Sequence, residues 1–329
     1  MRVTVLGAGY MGSAMAVVAR GRGHDVTLWG TWLDDPLLDA VAGGDVHPRL
    51  KLPLEGMRIL RAGALEQALA EAELVVHAVN SDGAVPVMTK AAPHLPHVPI
   101  VSVTKGLLES AAGRMERIDV ILAETAGREL RFVHAAGPAK AMEVARGVLT
   151  WMCFAGKDAR VAAEALGGGH LQIGTSADIA GAELCSALKN AYATGLGLWD
   201  GLVGRDAHDA RAACFTQAIA EMTRLVVAGG GRAETVVGAP GVGDLHVTAA
   251  GGRNRAFGEH VGRGKPAKQV AEEMLAIGEL TEGYPAIRSA ARFAREREVG
   301  ALPLLDALHA IVWEGAPVAP ELARLRLWV

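Results

Sequence analysis

The sequence predicts an α/β domain built on a doubly wound parallel sheet, followed by an all-α domain. Three observations carry that prediction. Short, nearly uninterrupted Val/Ile/Leu runs punctuate the first half of the chain, as strands buried on both faces require. The first of these runs breaks into Gly7, Gly9 and Gly12, spaced as GxGxxG and followed at once by a small-residue helical pattern. After about residue 177 the strand runs give way to helical periodicity rich in Ala and Leu. Together these describe a Rossmann-type domain over 1–177 and a helical domain over 178–329.

Taken in order, residues 3–6 form the first strand. Gly7 then permits a tight turn, Gly9 leaves room for a pyrophosphate to approach the backbone, and Gly12 lets the following helix pack close to the strand. The N-terminus of that helix offers free N–H groups and a partial positive charge to an anion. A second strand run, 26–29, arrives about 20 residues after the glycines, the spacing of a dinucleotide-binding unit. Further strand runs follow at 74–79, 100–103, 132–135 and 149–154. No long linker marks the domain boundary, only the polar Gly174, Thr175, Ser176 and Asp178, the last of which suits a helix N-cap equally well. Helices are expected at 179–198, 207–228, 255–262, 266–276, 284–298, 304–313 and 320–325. Gly229 to Gly231 would end one of them and Pro266 would open another.

Half of the 329 residues are apolar, enough for two large cores. The net charge of −3 provides no basic field for nucleic-acid phosphates, so a nucleic-acid partner is not expected. Cys153, Cys185 and Cys214 lie far apart in apolar surroundings, as buried thiols in a reducing compartment do, and no metal site is expected. The chain opens on a strand run without a basic or apolar leader pattern, so export is not expected. The longest apolar stretch, 184–203, contains Lys189, Asn190 and Asp200, so it reads as a core helix and not a membrane span. The expectation is a cytoplasmic protein.

Lys189 needs a reason for standing inside the apolar ELCSALKNAYATGLGL. One reading is a snorkelling side chain; the other is a lysine facing a cleft, where partial desolvation prepares it for proton exchange. Lys105 follows the strand run in SVTKGL, at the end of a parallel sheet where ligands bind, or it is a solvated loop lysine. GAPGVGDLHVTAAGGRNR reads as a glycine-rich loop holding Asp244, Thr248, Arg253 and Asn254. A helix starting at Asn254 or Arg255 would gather guanidinium, amide and backbone N–H groups around one phosphate.

These blocks resemble the NAD(P)-dependent glycerol-3-phosphate dehydrogenases over nearly the whole chain. GAGYMGSA, SVTKGL, GPAKAMEVARG, ELCSALKNAYA, EMTRL, GVGDLHVTAAGGRNRAFGE and TEGYPA stand in family order, and VTLWGTWLDD with HPRLKL looks most like the archaeal branch. The resemblance implies reversible hydride transfer between a nicotinamide and C2 of sn-glycerol 3-phosphate, giving dihydroxyacetone phosphate, in the supply of phospholipid precursors. It implies that Lys189 exchanges the C2 hydroxyl proton, that Lys105 stabilises the oxyanion beside the cofactor, and that Asp244 partners the Lys189 ammonium. Asn190 and Thr248 would surround that lysine, and Arg253 and Asn254 would bind the phosphate. Gly137 would face the substrate, and Gly7, Gly9, Tyr10, Met11, Gly12, Ala141, Arg253 and Glu282 would lie along the coenzyme. On this reading Lys105, Lys189 and Arg253 meet in one crevice.

Two departures stand out. Ala139 and Lys140 occupy positions where the family commonly has a small polar and then an apolar residue, so Lys140 is either an added cation near the substrate or a solvated side chain. The second strand ends in Trp29, Gly30 and Thr31, without the carboxylate that usually binds an NAD ribose. Thr31 with Arg49 could instead bind a 2′-phosphate, which favours NADPH; Asp34 or Asp35, folded back, would favour NADH. The runner-up readings are a 3-hydroxyacid or 6-phosphogluconate type of dehydrogenase and a non-catalytic dinucleotide-binding protein. The family also suggests a homodimer, for which Trp199, Trp313 and Trp328 are candidate contacts or merely core residues.

Overall fold

The computed structural model describes residues 1–206 and 208–326, which fall into two compact units. The first comprises Met1–Lys105 and Ile118–Ile179, the second Gly106–Arg117 and Ala180–Val329.

The first unit runs β1 (Arg2–Leu6), α1 (Tyr10–Gly21), β2 (Asp25–Trp29), α2 (Asp35–Ala42), β3 (Arg58–Leu60), α3 (Leu65–Leu69), β4 (Leu74–His77), α4 (Ser81–Ala91) and β5 (Ile100–Ser102). The chain then leaves for a hairpin of β6 (Leu107–Glu109) and β7 (Met115–Arg117). It returns as α5 (Ile118–Ala126), β8 (Phe132–Ala136), α6 (Ala141–Ala145), β9 (Thr150–Ala155), α7 (Ala159–Leu166) and β10 (Leu171–Ser176).

The sheet order is β10-β9-β8-β5-β4-β1-β2-β3. Valines and leucines of β1 and β4 are buried because helices cover both faces, which explains the continuous apolar runs. β1 lies between β2 and β4, so the winding reverses there and the carboxyl ends of β1 and β4 form the usual ligand crevice of such a sheet.

Two expectations about this sheet change. It is parallel except at β8 and β9, which run antiparallel with His134 opposite Ala155. It also gains the edge strands β3 and β10. Gly174, Thr175 and Ser176, read above as a polar boundary, are the last residues of β10, paired with Cys153, Phe154 and Ala155. An edge strand with solvated residues carries little of the apolar signal that marks the central ones.

In the second unit the hairpin is followed by α8 (Ile179–Val203), α9 (His208–Ala228), α10 (Ala233–Val237), a π-helical turn (Ala239–Gly243), α11 (Asp244–Ala250), α12 (Arg253–Gly262), α13 (Ala267–Ala276), α14 (Gly283–Glu296), α15 (Pro303–Trp313) and α16 (Val318–Ala323). The central α8 is buried on nearly every side. It crosses α12 with backbones in contact, because both helices carry glycines four residues apart. A Cβ on Gly197 would run into the Arg255 carbonyl and one on Gly201 into that of Glu259; from the other helix, Gly258 meets Thr194 and Gly262 meets Leu198.

Residues 106–117, placed above within 1–177, pack with the helices. Leu107 and Met115 are buried in the helical core, where each such side chain contributes about 1.5–3 kcal/mol. Arg292 bonds both Glu109 and Glu296 at 2.7 Å, and Arg297 bonds Glu116 at 2.6 Å. Arg117 pairs with Glu183 of α8 at 3.4 Å.

Trp199 and Trp313 pack against the core of their own unit, and Trp313 stacks on Tyr284 with ring centroids 4.3 Å apart. Trp328 lies outside the described residues. Among the described residues no helix is long and apolar enough to cross a membrane, and no cluster of His, Cys, Asp or Glu is arranged to hold a metal ion.

Candidate active site

In the first unit the glycine turn behaves as its spacing demands. Gly7 has φ 111°, and a Cβ there would come within 2.7 Å of the Ala78 carbonyl at the end of β4. A Cβ on Gly12 would strike the Gly7 carbonyl, so α1 can lie this close to β1 only with glycine at that position. Gly9 differs: a Cβ there would meet nothing within 4 Å. The space above it is open, and Gly9 caps α1 without any side chain bonding the first N–H groups. That combination fits a pyrophosphate.

Around this turn the loops differ from expectation. Thr31 is buried, and both its N–H and its hydroxyl donate to Asp34 Oδ2, at 2.8 and 2.9 Å. The same oxygen accepts from Ala8 N at 3.3 Å. Thr31 thus holds Asp34 against the end of β2, the folded-back arrangement weighed above as the alternative to a Thr31–Arg49 pair. Asp34 folds back so that its carboxylate lies beside the end of β2 and the glycine turn.

Arg49 lies over the Tyr10 ring, 5.5 Å from its centroid, and has no acidic partner among the described residues. Its loop is fixed by His47, whose Nε2 bonds the Ala8 carbonyl at 3.1 Å while Nδ1 accepts from Arg49 N and Leu50 N. Burial holds the His47 pKa below its ordinary value. Its role is invisible in the sequence, where HPRLKL shows no periodicity.

Lys105 and Gly137 stand at the carboxyl ends of β5 and β8, on the same edge of the sheet as the glycine turn. Next to Lys105, the Thr104 hydroxyl donates to the Val79 carbonyl at 2.8 Å and accepts from His77 Nδ1 at 2.9 Å, tying the ends of β4 and β5 together. The only hint of this in the sequence is a histidine closing an otherwise apolar strand. Met11 lies in the first turn of α1 and Ala141 opens α6. Lys140 is exposed and pairs with Glu143 at 3.9 Å, as a solvated side chain does.

In the second unit the stretch read as a loop is helical, which sharpens the site. Asp244 and Thr248 sit four residues apart on one face of α11, and both reach the Lys189 ammonium of α8. Lys189 forms a buried ion pair with Asp244 Oδ1 and donates to Thr248 Oγ1 at 3.0 Å; that hydroxyl donates in turn to the Asp244 carbonyl. The ammonium is thus held inside the unit and does not snorkel.

One residue on, Asn190 donates to Glu282 Oε2 at 2.8 Å. Asn254 Oδ1 accepts from Gly283 N at 2.8 Å, closing the start of α14, while its N–H₂ group makes no hydrogen bond among the described residues. Gly283 fits here because a Cβ would collide with Thr194 Oγ1 and the Asn190 carbonyl. α12 begins at Arg253, one residue earlier than expected, capped by Gly252 at φ 144° with no side chain on its first N–H groups. Arg253 has no acidic partner among the described residues. Arg253 and Asn254 thus open α12 side by side in sequence; a cation, an amide donor and a helix N-terminus are the kinds of group that a phosphate monoester takes.

Both parts of the chain match known proteins. Residues 2–162 match the model of the NAD-dependent glycerol-3-phosphate dehydrogenase N-terminus, and residues 178–322 match that of its C-terminus. The NADP(+)-dependent glycerol-3-phosphate dehydrogenase of Archaeoglobus fulgidus is 33% identical over 332 residues, covering 99% of each chain. The glycerol-3-phosphate dehydrogenase [NAD(P)+] of Thiobacillus denitrificans is 38% identical, over 97% of this chain and 95% of its own. The crystal structure of glycerol-3-phosphate dehydrogenase from Coxiella burnetii superposes with a TM-score of 0.86 at 29% identity, over 98% of this chain and 97% of that one. The chain belongs to the NAD-dependent glycerol-3-phosphate dehydrogenase family.

Proposed function

We propose that this chain interconverts dihydroxyacetone phosphate and sn-glycerol 3-phosphate, with Lys189 as its proton-exchanging residue. A buried ammonium held by Asp244 and Thr248, in the same unit as the Arg253 and Asn254 phosphate cradle, is the observation that supports it most. A nicotinamide dinucleotide held at the glycine turn would supply or take up the hydride at C2. Lys189 gives a proton to the C2 oxygen in reduction and removes it in oxidation, so that one hydride and one proton are transferred together. Asp244 and Thr248 fix the Nζ position, and Asn190, braced by Glu282, shares the wall beside it. Arg253, Asn254 and the start of α12 take the phosphate dianion. Lys105 is assigned the developing oxyanion. The product is a precursor for phospholipid synthesis.

The coenzyme is a nicotinamide dinucleotide, and the proposal extends to NADPH over NADH. Arg49, lying over Tyr10 without an acidic partner among the described residues, is the group to meet a 2′-phosphate, while Asp34 opposes it. The coenzyme ratio then follows from Arg49 set against Asp34.

Following absorbance at 340 nm with dihydroxyacetone phosphate tests the reaction. Turnover is expected in the wild type, with kcat reduced by about 10² to 10⁴ in Lys189→Ala while its circular dichroism stays unchanged. Near-normal turnover in folded Lys189→Ala removes that residue from the mechanism. Oxidation only with 3-oxo acids would make the chain a hydroxyacid dehydrogenase.

A further inference from the structure

A cavity of about 290 Å³ opens in the second unit on the side of α11 away from Lys189. Leu196, Ala212 and Phe215 supply apolar wall, and His208, Arg211 and His246 bring polar heads to it. His246 is two residues along α11 from Asp244, which turns it about 200° away from the ion pair. Its ring stands edge-on to Phe215, with centroids 6.4 Å apart. Ala249 and Ala250 complete the wall and lead straight into the Gly251–Gly252 turn and Arg253.

The charge beside this cavity is unbalanced. Asp200, buried in α8, faces two arginines: Arg211 Nε at 3.2 Å and Arg255 Nε at 2.5 Å. Glu259 also lies near Arg255 and pairs with Arg205 and Arg263, so two carboxylates face four guanidinium groups and positive charge is in excess. The Arg255 contact is a true hydrogen bond, whereas Arg211 Nε and Asp200 Oδ1 are close without the alignment of one. Asp200 is the sole ion-pair partner of Arg211 among the described residues, and the arginine lines the cavity. Arg255 also donates to the Ala250 carbonyl at 3.3 Å, at the last residue of α11. A chain of contacts therefore runs from the cavity through Arg211, Asp200 and Arg255 to the turn that precedes Arg253.

We propose that this cavity binds a small organic anion, a carboxylate on a flat apolar body, and that its occupancy is felt at the Gly251–Gly252 turn. The carboxylate takes the loosely held Arg211 guanidinium, with ring N–H donors of His208 and His246 beside it; the body lies along Phe215 and Leu196. Drawing Arg211 away leaves Asp200 to Arg255 alone, which shifts the hold of Arg255 on Ala250. The binding half stands on this geometry alone, and the coupling half rests on the reading of Arg253 and Asn254 given above.

Benzoate is the probe, with benzamide as its neutral counterpart and acetate as the anion without a body. Ring resonances of His246, assigned through His246→Gln, are followed by NMR as each compound is added. Benzoate is expected to shift them saturably, with the other two weaker by tenfold or more. Arg211→Gln is expected to weaken benzoate by about tenfold or more, the usual cost of losing a charged partner. Ala212→Glu, at an exposed cavity position, should block benzoate without disturbing the fold. Benzamide binding as tightly as benzoate, or indifference to Arg211→Gln, overturns the anion site. In turnover, benzoate should raise KM for dihydroxyacetone phosphate in the wild type and not in Arg211→Gln; binding with no change in KM overturns the coupling. If dihydroxyacetone phosphate supports no turnover, the proposed function fails while the NMR titration still decides the cavity.

Discussion

Gly197→Ala tests whether the crossing of α8 and α12 sets the position of the phosphate cradle. The added methyl would lie roughly 1 Å inside the closest distance real Cβ atoms keep, and what it meets is the Arg255 carbonyl, a backbone atom unable to rotate aside. The helices must part by about that amount, carrying Arg253 and Asn254 with α12. Overpacking of this kind costs about 3 kcal/mol. For a unit of this size that lowers Tm by about 6–12 °C. A misplacement of about 1 Å at a binding group can cost on the order of 10²-fold in kcat/KM. Calorimetry and steady-state kinetics with dihydroxyacetone phosphate measure both effects. Gly21→Ala, where a Cβ meets nothing within 4 Å, is the control and should leave both nearly unchanged. A Gly197→Ala protein with wild-type Tm and KM would show that the crossing has slack and does not set the position of Arg253 and Asn254.

Two further outcomes are expected. Wild-type kcat/KM should be higher with NADPH than with NADH; Arg49→Ala should lose about tenfold or more with NADPH alone and Asp34→Asn should gain with NADPH, whereas a wild-type preference for NADH would refute the assignment of Arg49. His77, fully buried with Nε2 unpartnered among the described residues, has its pKa lowered to about 4 by burial, so it stays neutral in the fold while the unfolded chain takes up a proton below about 6.5. Its contribution is complete above pH 6.5 and is lost as pH falls toward 4, by up to about 3 kcal/mol, so urea midpoints of His77→Gln should fall less over that window; parallel curves would exclude His77 as the acid-sensitive group.

Much of this architecture was legible because burial writes itself into sequence period. Central strands such as β1 and β4, covered on both faces, show as plain apolar runs, and α8 shows as a long Ala/Leu helix. The parts that stayed hidden are those where solvent or partners outweigh period. β10 is a solvated edge, β3 has three residues, and the hairpin finds its partners far along the chain in α14. α11 was hidden by its glycine-rich flanks, although it places Asp244 and Thr248 one helical turn apart. Lys189, Asp244 and Asn254 could be named from motifs, but not the return of Asp34 onto Thr31 or the hold of His47 on Ala8, since both depend on loop paths that no local rule dictates.

The hairpin at 106–117 orders events during synthesis. It emerges from the ribosome long before the helices that receive it, and Arg292 follows Glu109 by 183 residues. At ordinary elongation speed that is a delay of about ten seconds or more. Through that interval Leu107 and Met115 have no helical core to enter, so a nascent α/β sheet carries a sticky loop that only the finished carboxyl-terminal helices can hide. Expressing residues 1–177 alone would make that interim state permanent, and a soluble fragment is better obtained by replacing 106–117 with a short polar turn.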